Sequence, residues 1–186
     1  VQLTDDARHY GLVSRTLHWA MAALFAWQFA GMIAKNILGR VPLTGFWVGT
    51  HASVGTLLFL LVVLRLAWAL AQRTQRPSYA AGMLGRLALL GHVAMYVLMA
   101  IVPALGIMRM IGGERPISLF GIAIRPAQAG DITWMTEPAN LVHAPLAWLL
   151  LALILGHVGM VLLHRLFWQD DTLSRMAGRP ISEGRA

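Results

Sequence analysis

The chain has 186 residues, of which 58% are hydrophobic and only 12% charged, with a formal net charge of +7 and no cysteine. So little charge does not cover the surface of a soluble domain of this size, and the absence of cysteine excludes disulfides, thiolate-bound zinc, cysteine-ligated iron–sulfur clusters and covalent c-type heme attachment. The basic residues are scattered beside apolar runs and form no stripe interleaved with aromatics, so juxtamembrane anchoring explains them and nucleic acid is not an expected partner.

In chain order, a tail with Arg8, His9 and Arg15 leads into a first apolar stretch from about Thr16 to Ala34. About 20 helical residues cross a hydrocarbon core of about 30 Å. This stretch is too long for the apolar core of a secretory signal, and no small-residue cleavage site follows it, so a permanent helix is expected. The chain begins at Val1 without an initiator Met, which points to processing or trimming. Gly39, Pro42 and Gly45 punctuate a short connection to the second stretch, about Trp47 to Ala71. A connection with Arg73, Arg76, Pro77 and Arg86 leads to the third, about Leu87 to Ile111. The longest connection, about Gly112 to Asn140, carries Pro116, Pro126 and Pro138, which are expected to break any regular helix there. It is long enough to fold over one end of a bundle. The fourth stretch runs from about Leu141 to Phe167. The expected fold is an all-α membrane protein: one four-transmembrane-helix bundle over residues 1–176, with a short polar tail over 177–186.

Basic residues near the helix ends set the orientation. The terminal side carries nine (Arg8, Arg15, Arg73, Arg76, Arg86, Arg165, Arg175, Arg179 and Arg185), and the opposite side carries five (Lys35, Arg40, Arg109, Arg115 and Arg125). The positive-inside rule therefore predicts both termini in the cytoplasm.

An ionisable side chain inside a membrane is costly and marks function by default. His143 is expected near the start of the fourth helix, and His157 follows 14 residues later, about 21 Å deeper and within about 40° of the same face. His51, near the start of the second helix, is level with His143; His18, near the start of the first, is level with His157. Two facing imidazoles hold a planar heme iron from both sides, so the expected cofactors are two stacked, non-covalent heme b groups, held by His51 with His143 and by His18 with His157. Such an iron has no open site and suits electron transfer. A zinc site would gather its ligands within a few ångströms, against two levels about 20 Å apart here. For any one of these histidines, a helix–helix hydrogen bond is the plainer alternative.

His92 and His164 fall slightly below the inner pair, where a polar pocket suits a quinone headgroup; interfacial solvation is the alternative. Arg65 and Arg15 are candidate partners of heme propionates or, equally, snorkel to lipid headgroups. Gly31, Gly55, Gly91, Gly106, Gly156 and Gly159 either admit a flat macrocycle or make ordinary small-residue helix contacts.

Ser14-Arg15-Thr16-Leu17-His18-Trp19, His51, Leu90-Gly91-His92 with Tyr96, Pro103 and Gly106, the His143/His157 spacing, His164, and Phe167-Trp168-Gln169-Asp170-Asp171-Thr172-Leu173 together resemble the bacterial cytochrome b561 family. The resemblance runs from about Tyr10 to Met176. It implies two hemes ligated by His18, His51, His143 and His157, in agreement with the depth argument. Some members are similar to superoxide oxidase, which implies an electron moving from superoxide outside to ubiquinone inside, with His164 at the quinone. The long loop does not align, so donor-side residues are not carried over. The sequence reading is a multi-pass oxidoreductase of the bacterial inner membrane, with lipid, quinone and a small anionic donor or a redox protein as partners. A cytochrome b anchor subunit for a dehydrogenase or hydrogenase is one rival; a heme-free small transporter or metal-binding protein is another.

Overall fold

The protein, seen in a computed structural model, is described over residues 2–79 and 81–178; Arg179, Arg185 and most of the expected polar tail lie outside the described residues. Helices α1 (Leu12–Leu38), α2 (Pro42–Ala71), α3 (Gly82–Gly112) and α4 (Thr133–Leu163) form the bundle. Strands β1 (Ile117–Leu119) and β2 (Ile122–Arg125) lie between α3 and α4, and α4 ends in a single π turn, His164–Trp168, before the short α5 (Thr172–Ala177). The four long helices are apolar enough to cross a membrane. They expose leucine and valine to the outside, among them Leu60, Leu64, Val97, Leu149 and Leu155, as helices bathed in lipid do.

Successive helices are packing neighbours, α1 on α2, α2 on α3 and α3 on α4. The core between them is Met21 and Phe25 of α1, Val54, Leu58 and Val62 of α2, Leu98 of α3 and Leu150 of α4. Lipid tails are as apolar as these side chains, so dispersion contacts and close packing, not escape from water, hold the helices in register.

Each helix extends beyond its apolar stretch, and two expectations are corrected. Pro42 and Gly45 do not sit in a loop: Pro42 is the first residue of α2, where its missing N–H has no intrahelical partner to lose. Thr44 Oγ1 accepts from the Val41 N–H at 3.0 Å and donates to the Gly39 carbonyl at 2.8 Å, fixing this start. Pro138 does not interrupt a loop either, because α4 starts at Thr133 and contains both Pro138 and Pro145. Tertiary packing overrides the proline. Thr136 and Ala139 are buried, and the end of α3 comes so close that a Cβ on Gly112 would lie 2.6 Å from Met135 Cβ. His143 accordingly stands about three turns into α4, rather than at its start.

The shortened loop forms a hairpin. Its antiparallel strands pair Leu119 with Ile122, and Phe120 and Gly121 at the tip take φ of 52° and 82°, as a two-residue hairpin turn requires. The Phe120 N–H donates to Ser53 Oγ at 2.9 Å, which lays the hairpin on α2. Arg125 ties the loop base, donating to the carbonyls of Ile111 (2.8 Å), Gly113 (2.6 Å) and Arg115 (3.2 Å) and to the Gln128 side chain. At the opposite, terminal end, where α1 begins and α4 finishes, residues before α1 fold back on the bundle and bury the Asp5 carboxylate.

Candidate functional site: two histidine pairs

On α4, His143, Leu150, His157 and His164 recur every seven residues and fall on one stripe. Leu150, 1% exposed, fills the level midway between His143 and His157. The His51 and His143 rings face each other with centres 6.2 Å apart, and the His18 and His157 rings with centres 6.4 Å apart. The depth matching made from sequence thus brings together the same two pairs. An imidazole nitrogen ligates a metal at about 2.0–2.1 Å and lies about 1.1 Å from its ring centre, so two rings trans across one ion have centres about 6.3 Å apart. Both pairs have that spacing. Close backbone packing joins α4 to α3, whereas α1 and α2 stand off from α4, so each pair spans a gap between helices.

Hydrogen bonds select the nitrogen. His143 Nδ1 lies 2.9 Å from the Val102 carbonyl oxygen. A carbonyl only accepts, so Nδ1 carries the proton and Nε2 keeps the lone pair that a metal requires. Gly106 gives this ring its room, since a Cβ there would lie 3.1 Å from His143 Cε1. His51 Nδ1 is buried with no hydrogen-bond partner, at a cost of about 1–3 kcal/mol for as long as the atom stays unpaired. The main-chain carbonyl of His51 accepts from Gln28 Nε2 at 2.9 Å. The donor set and spacing fit a bis-imidazole heme iron at each level, and the unpaired nitrogen belongs to the His51 pair alone. Among the described residues no group of three or more His, Cys, Asp or Glu side chains converges as a cluster of metal ligands would.

His92 lies closer to His157 than His18 does, with ring centres 5.2 Å apart, about 1 Å short of the trans spacing. Its Nδ1 donates to Ala88 O of its own helix at 2.7 Å, and Tyr79 packs on its ring at 5.6 Å. It is half-buried. His164 opens the π turn. Its Nδ1 meets Asp170 Oδ2 at 2.5 Å, and the Trp168 ring stands edge-on to it at 4.5 Å.

Arg65 stays within the bundle end. Its Nε donates to Tyr96 Oη at 3.0 Å and a terminal nitrogen to the Ser14 carbonyl at 3.1 Å. The Arg15 guanidinium lies instead against Gly178, the residue after α5, where any Cβ would collide with it. Of the glycines, Gly31 admits Trp47 and Gly55 admits Gln28, whereas Gly91, Gly156 and Gly159 face open space.

Several polar residues were not singled out from sequence. Asp5 accepts from the Gly11 N–H (2.8 Å), Ser14 Oγ (2.9 Å) and Arg76 Nε (2.9 Å). Ser14 Oγ also accepts from Trp68 Nε1 at 3.0 Å. Asp5 and Arg76 are 71 positions apart, so no local pattern reveals them. Asp170 was visible only as part of the Gln169-Asp170-Asp171-Thr172 match. Burial raises its pKa, but hydrogen bonds from His164 and Thr172 outweigh this and hold the carboxyl below the usual 3.8.

The family model for prokaryotic cytochrome b561 matches residues 9–179. The chain belongs to the prokaryotic cytochrome b561 family. It is also similar to cytochrome b561 homolog 2 of Escherichia coli (strain K12), with 28% identity over 198 residues covering 98% of each chain. Cytochrome b561 proteins of this family are membrane b-type cytochromes that act in electron transfer and normally bind heme b.

Proposed function

We propose that this cytochrome b561 is a di-heme electron carrier that oxidises a small donor, superoxide in the most specific form, at the hairpin end and reduces a quinone of the ubiquinone type at the terminal end. In this reading it lies in the bacterial inner membrane with both termini in the cytoplasm, as the excess of basic residues at the terminal end supports. His51 with His143, and His18 with His157, would hold the two hemes. The observation that carries the reading is the centre-to-centre spacing of 6.2 and 6.4 Å at two levels of one bundle.

Bound heme would supply reversible one-electron chemistry between these histidines. The protein's own part is spacing and exclusion. Leu58, Val62, Leu98 and Leu150 keep water from the middle of the bundle. Val102 fixes the His143 ring through Nδ1. Arg65, held between Tyr96 and Ser14, keeps a cation at the terminal end, where carboxylates of a bound group gain from it. Over a full cycle two superoxide ions each lose one electron and leave as dioxygen, while one quinone gains two electrons and two protons and becomes quinol.

The test is heme-loaded, detergent-purified protein given a steady source of superoxide and a short-chain ubiquinone. Quinol formation that depends on superoxide supports the reading. Quinone reduction no faster with superoxide than without it removes superoxide as donor, and a co-purifying soluble subunit that restores the rate would identify a protein donor instead.

A further inference from the structure

The chain beyond the last membrane helix turns back on His164. The π turn His164–Trp168 widens the backbone, and Gln169 adopts a left-handed conformation with φ 50°. The His164 carbonyl accepts from the Gln169 N–H and, at 3.3 Å, from the Asp170 N–H. The same reversal brings the Asp170 carboxylate to the ring of His164. Both carboxylate oxygens are engaged: Oδ2 with His164 Nδ1 at 2.5 Å and Oδ1 with the Thr172 N–H at 3.0 Å. Trp168 stands edge-on to the ring and limits its rotation. A π turn inserted in a helix often marks a functional position, and here it aligns one carboxylate with one imidazole nitrogen.

We propose that Asp170 is the positioning residue of a proton-donating dyad, holding His164 as an imidazolium whose Nε2–H is offered to a quinone carbonyl. The inference rests on the quinone reading above and deepens it by assigning the partner that gives His164 its chemistry. The logic is in the tautomer. The carboxylate only accepts, so Nδ1 carries a proton. A neutral ring with its proton on Nδ1 has only a lone pair on Nε2, and a quinone carbonyl, itself an acceptor, gains nothing from it. With both nitrogens protonated, the ring donates to the carboxylate on one side and to the quinone on the other. The ionised Asp170 favours that state by a charge-assisted hydrogen bond. As the quinone takes up two electrons, the N–H bond at Nε2 breaks and an O–H bond forms on one quinone oxygen. The ring is left neutral with its proton on Nδ1 and regains its second proton from the adjacent aqueous phase, and the second quinone oxygen takes its proton from that phase directly. The electrons are those of the superoxide named above. The α5 segment, anchored where Trp19 Nε1 donates to Met176 O at 3.2 Å, keeps Thr172 and Asp170 in place.

The experiment compares the heme-loaded protein with Asp170→Asn, Asp170→Glu and His164→Ala. Nitrogen-15 NMR of ring-labelled histidine at neutral pH reports protonation, and steady-state quinone reduction gives kcat and KM. The expected result is a doubly protonated His164 ring in the parent that becomes singly protonated in Asp170→Asn. The kcat then falls on the order of 10- to 100-fold, the scale of general acid catalysis, and Asp170→Glu recovers most of it. An unchanged His164 ring signal in Asp170→Asn, with kcat within twofold, overturns the dyad. Equal losses in Asp170→Asn and Asp170→Glu, with heme content intact, also overturn it, because they point to a purely structural role. Full quinone reduction by His164→Ala removes the dyad together with the quinone site at this position. Loss in His164→Ala alone leaves the quinone site standing and removes only Asp170.

Discussion

The Nδ1 of His143 donates to the carbonyl oxygen of Val102 across 2.9 Å, one residue before the proline inside α3. That one bond orients the ring, fixes its tautomer and leaves the Nε2 lone pair free for a metal. The pairing argument gives the first prediction. His51→Ala or His143→Ala loses one heme per chain, and His18→Ala or His157→Ala loses the other. Heme-to-protein ratios and reduced-minus-oxidised spectra read this directly. Loss of both hemes in one variant that remains folded, or of neither, refutes the pairs.

Gly106 should resist substitution for a local reason. An alanine Cβ would lie 3.1 Å from His143 Cε1, so the ring has to yield by a few tenths of an ångström. Gly106→Ala is expected to perturb the low-spin electron paramagnetic resonance signal of one heme and leave the other unchanged. Identical signals at both levels count against His143 as a ligand.

Leu150 occupies the level between the two pairs at 1% exposure. Leu150→Ala removes its contacts and leaves a cavity, at a cost of about 2–5 kcal/mol. Denaturation of the detergent-solubilised protein measures it, with Leu150→Met expected to lose less than about 1.5 kcal/mol.

Asp5 and Arg76 close the terminal end. The Asp5 side chain is fully buried, whereas Arg76 retains 20% exposure. Removing only one member of such a pair strands the other, a loss of about 3–5 kcal/mol in a buried setting and less where water reaches one partner. The losses of Asp5→Ala and Arg76→Ala should therefore sum to more than the loss of the Asp5→Ala, Arg76→Ala double variant. A double-mutant cycle checks the coupling.

Acid should release the segment after α4. The folded Asp170 carboxyl titrates below its usual 3.8, so the folded state binds the proton less readily than the unfolded state. Its contribution is present in full above about pH 4 and is lost as the pH falls through the lower, folded value. Trp168 and Trp19, which contact His164 and Met176, report the release by fluorescence. Asp170→Asn is expected to abolish this acid-dependent change.

The long apolar stretches were legible because crossing lipid demands an unbroken run of about 20 apolar residues, a property of local sequence. The helix starts were less so. Pro138 signals a break by its missing N–H, yet α4 runs through it, with Thr136 and Ala139 buried and Met135 and Thr136 packed beside Gly112. The hairpin over residues 117–125 was missed, since strands of three and four residues leave little periodicity to read.

The sequence by itself determined the four spans and the recurrence of His143, Leu150, His157 and His164 on one stripe of α4, because hydropathy and helical period repeat along a single chain. It also sufficed to match His51 to His143 and His18 to His157 by depth, since rise per residue is fixed. Only the tertiary structure decided that His92 lies too near His157 for the trans spacing, that Arg65 turns to Tyr96 and Ser14, and that Asp5 meets Arg76. It also decided that Asp170 returns to His164. Those contacts depend on how far helices stand apart and how the chain reverses, and a hydrogen bond is set by distances that only the folded chain fixes.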